Sequence, residues 1–485
     1  MGSQNQYVYR FVVAVPQKIV HRRSRRSHVA SLSLDEEQQR LEIVMASGVR
    51  GVCALRKTAE QTVLQADWPM GKKAAKSGWP EICIRLGKCH EYGGVNDEAE
   101  SVKWYRKLAD QGDTRGEVSL GLCYQEGLGV AKNGARAVKR FRQAADKGDA
   151  DGQVKLGWCY ENGFGVDEDW AEAVKWYRQA ADQGHAGGQF NLGWCCEYGF
   201  GITKNEVEAA KWYHLAADQG HAGGQVKLGW CYEYGFGVTQ NAVEAAKWYH
   251  LAADQGHAGG QFNLGWCYEY GFGVTQNAVE AAKWYHQAAD QGHAGGQFNL
   301  GWCYEYGFGV AKNTTEAVKW YRLAADQGHA GGQVNLGWCY ENGFGVVKNT
   351  TEAFKWYRQA ADQGHAGGQV ILGRCYAKGC GVAKNEAEAA KWYHQAADQG
   401  HAGGQVSLGW CYKYGFGVAR DGAEAVKWFR LAADRGHAGG QVSLGRCYVK
   451  GCGVAKNAAE AVKWFRLAAD AGHGNARRYL KMLTK

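Results

Sequence analysis

Proline is almost absent, with 3 in 485 residues. A chain with so little proline cannot be a polyproline spacer or a collagen, and its many glycines follow no Gly-X-Y period. No run approaches 18 consecutive apolar residues, which excludes a membrane-spanning helix. Acidic residues are missing from positions 1–34, where the run His21-Arg22-Arg23-Ser24-Arg25-Arg26 lies. Catalytic signatures are also missing. There is no Gly-x-Ser-x-Gly, no phosphate-binding loop, no Cys-x-x-Cys and no His-Glu-x-x-His. The expectation is a non-enzymatic protein without cofactor or metal.

Glycine, by contrast, occurs 70 times and tryptophan 20 times, and 45% of the residues are apolar. The apolar share excludes a disordered chain, and the compositional bias points to an internal repeat. The charge is uneven. Residues 1–85 hold 14 Lys/Arg against 7 Asp/Glu, and the rest hold 43 against 41. The near-neutral body is not a nucleic-acid surface. Segment 1–70 is expected to be a basic, largely disordered tail, with an organellar targeting peptide or a nuclear address as alternatives. Residues 71–485 are expected to form the structured body.

A Leu-Gly-x-Cys core recurs from Leu86 and Leu120 through Leu156, Leu192 and onward to Leu444, every 36 residues after the first step of 34. Ala173, Trp176, Tyr177, Ala180 and Ala181 trace one apolar face of a helix, here called B. Its start carries Asp169 with Glu172, repeated as Asn205/Glu208, Asn241/Glu244 and Asn277/Glu280, which are capping boxes. Gly184 fits a left-handed C-terminal cap. A second helix, A, runs from about Ala186 to Tyr198, with Leu192 and Gly193 facing the partner helix. Each unit is then an antiparallel hairpin that buries its apolar face only against its neighbours.

The pattern Ala222-Gly-Gly-Gln225, Leu228-Gly229, Tyr232, Gly235-Phe-Gly237-Val238, Ala246, Trp248-Tyr249, Ala252-Ala253 and Gly256 resembles the Sel1-like repeat family, relatives of tetratricopeptide repeats. The resemblance covers over four-fifths of the chain. It implies an all-α, right-handed α-solenoid of about eleven 36-residue antiparallel helix hairpins, with the A helices on the concave side. Two departures stand out: Gly188 and Gly224 replace the family's second alanine. Glycine costs about 1 kcal/mol in a helix interior, so the joints are expected to have more play.

The outward face of helix A carries a stripe. Asn191, Trp194 and Tyr198 are spaced i, i+3, i+7 and fall within about a 60° arc at about 100° per residue. The stripe recurs around Trp158, and as Lys227/Trp230/Tyr234, Asn263/Trp266/Tyr270, Asn299/Trp302/Tyr306 and Asn335/Trp338. Beside it run Glu197, Glu233, Glu269 and Glu305. Asn amides bond a peptide backbone in both directions, Trp faces hold aliphatic stems or cations, and the acids select Lys or Arg. Near the C terminus Arg374 and Arg446 make the groove basic, which would fix the direction of a bound chain. The expected function is a scaffold or adaptor gripping an extended basic segment of a protein partner. Armadillo-repeat proteins use Trp/Asn arrays in a similar way. The alternatives are that the stripe is copied packing, or that it is a stacking platform for a glycan or polymer. A weaker alternative, taken from cysteine-rich relatives, is hydrolase activity of the penicillin-binding kind, for which a nucleophile–base pair is lacking.

Eleven of the 16 cysteines sit three residues after the repeat leucine, where each is a small buried filler. The secreted cysteine-rich relatives carry two paired cysteines per unit. Their absence implies a reducing compartment, with the cytoplasm as the expected location. Cys375/Cys380 and Cys447/Cys452 are candidate local pairs. Nine histidines from His185 to His473 open the A helices where Asp113 and Asp149 stand earlier, and so read as substitute N-caps.

Overall fold

The structure, a computed structural model, describes residues 98–483. The basic segment, its boundary at residue 70 and the first unit's A helix lie outside the described residues. Twenty-two α-helices follow one another from Glu98–Asp110 to Gly474–Leu483, and the described residues contain no strand. A and B helices alternate, as in Ala186–Tyr198 (A), Glu206–Asp218 (B), Ala222–Tyr234 (A) and Ala242–Asp254 (B). Each A helix packs against the B helices before and after it in sequence. A helices also approach the A helices of adjacent units more closely than B helices approach one another.

Every turn of the chain is set by a local backbone requirement. Gly184 takes φ 82° and donates to Ala181 O, while His185 N donates to Ala180 O, closing helix B in a Schellman motif. His185 at once opens helix A, its Nδ1 accepting from Gly188 N at 3.1 Å. The histidines from His221 to His437 repeat this bond. The last of the nine expected caps does not form, because the buried Nδ1 of His473 has no partner. Gly199 then ends helix A with φ 79°.

The expected capping boxes form only in half. The Asn205 side chain accepts from Glu208 N at 3.1 Å, but its own N–H donates to Cys196 O of helix A at 2.8 Å. Asp169, Asn241 and Asn277 do the same towards Tyr160, Tyr232 and Tyr268. The glutamates are thus released from the caps, and Glu172, Glu244 and Glu280 pair with Lys175, Lys247 and Lys283 instead.

Close approach governs the packing. A Cβ added to Gly193 would meet the Tyr213 ring at 2.9 Å, and one at Gly265 would meet Tyr285 at 2.7 Å. Gly188 lies so near the preceding B helix that a Cβ would be 2.7 Å from Ala180 Cβ. The expected looseness at Gly188 is replaced by a tight contact that an alanine could not make without moving the helices apart.

A buried glutamine ties each joint together. Gln261 Nε2 donates to Ala253 O of the preceding B helix at 3.4 Å, and Gln261 Oε1 accepts from Gln291 Nε2 at 2.6 Å. Glu117 and Lys147 build the same bridge as an ion pair at 2.9 Å. In the last units Arg435 and Ala471 stand in the partner's place, and the buried Oε1 atoms of Gln405 and Gln441 have no partner. Gln261→Ala should therefore cost about 1–3 kcal/mol, while Ala471→Gln should gain about 1 kcal/mol by satisfying Gln441. Denaturant unfolding followed by circular dichroism checks both signs. An unchanged midpoint in both variants would contradict the bridge.

The caps also make stability depend on pH. Burial holds His221, His257, His293, His329, His365 and His437 below the ordinary histidine value. Neighbouring rings of the row lower His221, His293, His329, His365 and His437 further. The folded state binds fewer protons than the unfolded one, so the stabilisation is present above pH about 6.5 and lost as pH falls through the depressed values. Protonation at Nδ1 also removes the cap acceptor. Unfolding midpoints should drop from neutral pH towards pH 5. Replacing His221, His257 and His293 by Asp, the residue used at positions 113 and 149, should flatten the drop. An equal slope in that variant would contradict the account.

Candidate partner-binding groove

The groove is built from the core outward. Tyr213 of helix B is fully buried beneath Gly193, and its hydroxyl donates to Glu197 Oε2 at 2.5 Å. Tyr249, Tyr285, Tyr321 and Tyr357 bond Glu233, Glu269, Glu305 and Glu341 in the same way at 2.5–2.7 Å. Tyr177 also donates to Glu161. Burial, and then the carboxylate, push these phenols far above the ordinary tyrosine value, so they remain neutral donors. The acidic line is consequently anchored from below, with one oxygen of each carboxylate held by a phenol. Glu197 and Glu233 are buried.

The stripe tryptophans are half-buried, apart from the exposed Trp338, and lie among aromatic neighbours. Trp230 stacks on Phe236 at 4.6 Å and tilts against Tyr234 at 5.3 Å. Trp194 touches Tyr198, Phe200 and Trp170. Trp266 packs against Tyr270 and Phe272, and Trp302 against Tyr306 and Phe308. Trp158 and Trp338 lean on Phe164 and Phe344. Tyr198, Tyr234, Tyr270 and Tyr306 are half or more exposed. The phenylalanine of the Gly-Phe-Gly turn is thus a groove residue that the stripe pattern did not include. Its signal was present: where Arg374 and Arg446 replace the tryptophan, Cys380 and Cys452 replace the phenylalanine.

Three expected ligand contacts meet the chain itself. Lys227 Nζ lies 3.1 Å from both oxygens of Glu197, and 5.3 and 5.4 Å from the ring centres of Tyr198 and Trp230. Arg374 reaches Glu341 at 2.8 and 3.1 Å. Arg446 sits 5.4 Å over Trp410. Asn191, Asn263, Asn299 and Asn335 remain half-buried on the groove face, and Asn299 and Asn335 also stand beside the Tyr285 and Tyr321 phenols. Clefts of about 380 and 160 Å³ open between successive A helices. The first is lined by Glu197, Tyr198, Tyr213, Trp230 and Phe236, the second by Glu305, Tyr306, Lys312, Trp338 and Phe344.

The Sel1 repeat family model matches eleven times in tandem, at 80–113, 115–149, 150–185, 186–221, 222–257, 258–293, 294–329, 330–365, 366–401, 402–437 and 438–473. The chain belongs to the Sel1-repeat family. Sel1 repeats in general are protein-interaction scaffolds without a catalytic centre. A protective antigen of uropathogenic Escherichia coli with this fold, c5321, is 36% identical, with a TM-score of 0.66 over 86% of this chain and 90% of its own. A Sel1 repeat protein of Oxalobacter formigenes is 34% identical, covering 50% of this chain and 96% of its own, with a TM-score of 0.47. The rat DAP3-binding cell death enhancer 1 is 39% identical over 62 residues, 13% of this chain. The match spans only 12% of that relative's length.

Among the described residues, no helix is long and apolar enough to cross a membrane, and no group of three potential ligands could hold a metal ion. The candidate pairs do not form in this Sel1 array: Cys375, Cys380, Cys447 and Cys452 are free thiols. Burial pushes Cys159, Cys195, Cys231, Cys267, Cys303, Cys339 and Cys375 up to about 12. In the native state, iodoacetamide should therefore label the half-buried Cys380 and Cys452 well before this row, as read by peptide mass spectrometry. Equal labelling would contradict the burial of the row.

Proposed function

We propose that this Sel1 solenoid is a non-enzymatic scaffold that binds an extended, basic segment of a protein partner along the face of its A helices. The observation that carries the reading is the co-alignment of half-exposed aromatics with carboxylates held in place from beneath. Rigid aromatic area and a fixed negative charge together suit Lys and Arg, whose stems lie on rings while their heads meet carboxylates. Asn side chains between them suit the bonds of a peptide backbone. The near-neutral body leaves this local charge as the groove's own signal rather than part of a general surface field.

The test is fluorescence anisotropy of labelled peptides with the full chain. Basic extended peptides should bind, acidic ones of equal length should not, and binding should weaken as salt is raised. The triple variant Trp230→Ala, Trp266→Ala, Trp302→Ala should lose at least tenfold in affinity, on the order of 1.4 kcal/mol or more, while keeping its helical circular dichroism. Unchanged binding by that variant would place the site elsewhere. Salt-insensitive binding of an oligosaccharide in place of the peptide would favour a stacking platform.

A further inference from the structure

One layout recurs along the groove. A carboxylate and a tyrosine end one A helix, and the tryptophan of the next A helix faces them. At Glu197 this site is filled from within, because Lys227 places its ammonium on the carboxylate and within reach of the Tyr198 and Trp230 rings. Four units further on, Arg374 stands in the tryptophan's place and fills the site at Glu341 with its guanidinium. The protein thus shows what these sites hold when a cation is available.

Between the two, the cation is missing. In register with Lys227 the sequence has Asn263, Asn299 and Asn335, and a neutral amide cannot neutralise a carboxylate. Among the described residues, no Lys or Arg forms an ion pair with Glu233, Glu269 or Glu305, whose hydrogen-bonding neighbours are the phenols of Tyr249, Tyr285 and Tyr321 from below and of Tyr234, Tyr270 and Tyr306 beside them. At the first two sites Gln240 and Gln276 approach as well, but each bonds the backbone carbonyl of the glutamate, at 2.7 Å. At the third, Lys312 lines the cleft without pairing with Glu305. Glu233 is also buried, so a cation placed on it is screened little by water.

We infer that the sites at Glu233, Glu269 and Glu305 form a row of cation cages, each taking one Lys or Arg side chain of the bound segment, and that Lys227 and Arg374 close the row at its ends. The inference rests on the groove reading above and gives it a register. Packed helix axes lie about 8–10 Å apart. A polyproline-II strand rises about 3.1 Å per residue with three residues per turn, so residues i, i+3 and i+6 share one face about 9.3 Å apart. The segment selected is therefore an extended one with three basic residues at every third position.

The test uses the full chain and labelled synthetic peptides carrying three lysines, spaced by two, three or four positions. Spacing by three should bind best. Asn263→Lys and Asn299→Lys copy the arrangement that Lys227 already makes, so they should fold normally while closing a cage. Each should weaken the three-lysine peptide about tenfold. Lys227→Asn should open a further cage and strengthen a four-lysine peptide about tenfold relative to the three-lysine one. If both Asn→Lys variants bind as the wild type does, while the triple tryptophan variant still loses binding, the cages are wrong and the groove reading stands. Equal affinity at all three spacings would overturn the register. No binding of any basic peptide by the wild type would overturn both.

Discussion

The groove of this protein depends on a place where there is no room for one carbon atom. Where A and B helices cross, Gly193, Gly229 and Gly265 lie against a tyrosine ring, and a Cβ there would collide with it. That contact lets the ring pass under helix A and bring its hydroxyl out on the far side, to the carboxylate of Glu197, Glu233 or Glu269. A larger residue would separate the helices and pull the phenol away from its acceptor. Core packing and groove chemistry are therefore one constraint. The buried tyrosine is both the plug of the hairpin and the hydrogen-bond donor that holds the groove carboxylate in place.

The joints between units obey a second rule of the same kind. From His185 to His437 each unit ends in a glycine that turns left-handed and a histidine that closes one helix and opens the next, as Asp113 and Asp149 do in the earlier units. With no free linker residue between helices, the register of one unit is handed directly to the next. The glutamine bridge reinforces this, and its loss at Gln405 and Gln441 marks the C-terminal joints as the weaker end of the array. In a solenoid whose stability is a sum over neighbours, fraying is expected to start there.

Much of the architecture was legible in the sequence because it is local. The bounds Ala186–Tyr198 and the roles of Gly184, His185 and Gly193 follow from periodicity, cap chemistry and the need for close approach. What was not legible depends on pairs about 16 or 30 residues apart. The sequence shows Glu197 and Lys227 as two groove residues, but only the structure shows them facing each other across adjacent A helices. Likewise Tyr213 reads as core and Glu197 as surface, and their bond joins the two classes. The half-formed capping boxes failed for a related reason. The backbone N–H of Asn205 had a better acceptor in helix A than the glutamate three residues on.

The most direct measurement is a crystal structure of the full chain bound to a peptide with lysines at every third position. The account predicts that the lysine ammonium groups lie within hydrogen-bond distance of Glu233, Glu269 and Glu305, against Trp266, Trp302 and Trp338, as Lys227 lies against Glu197 and Trp230. A peptide seated on the B helices, or one in the groove with its lysines pointing to solvent, would contradict it.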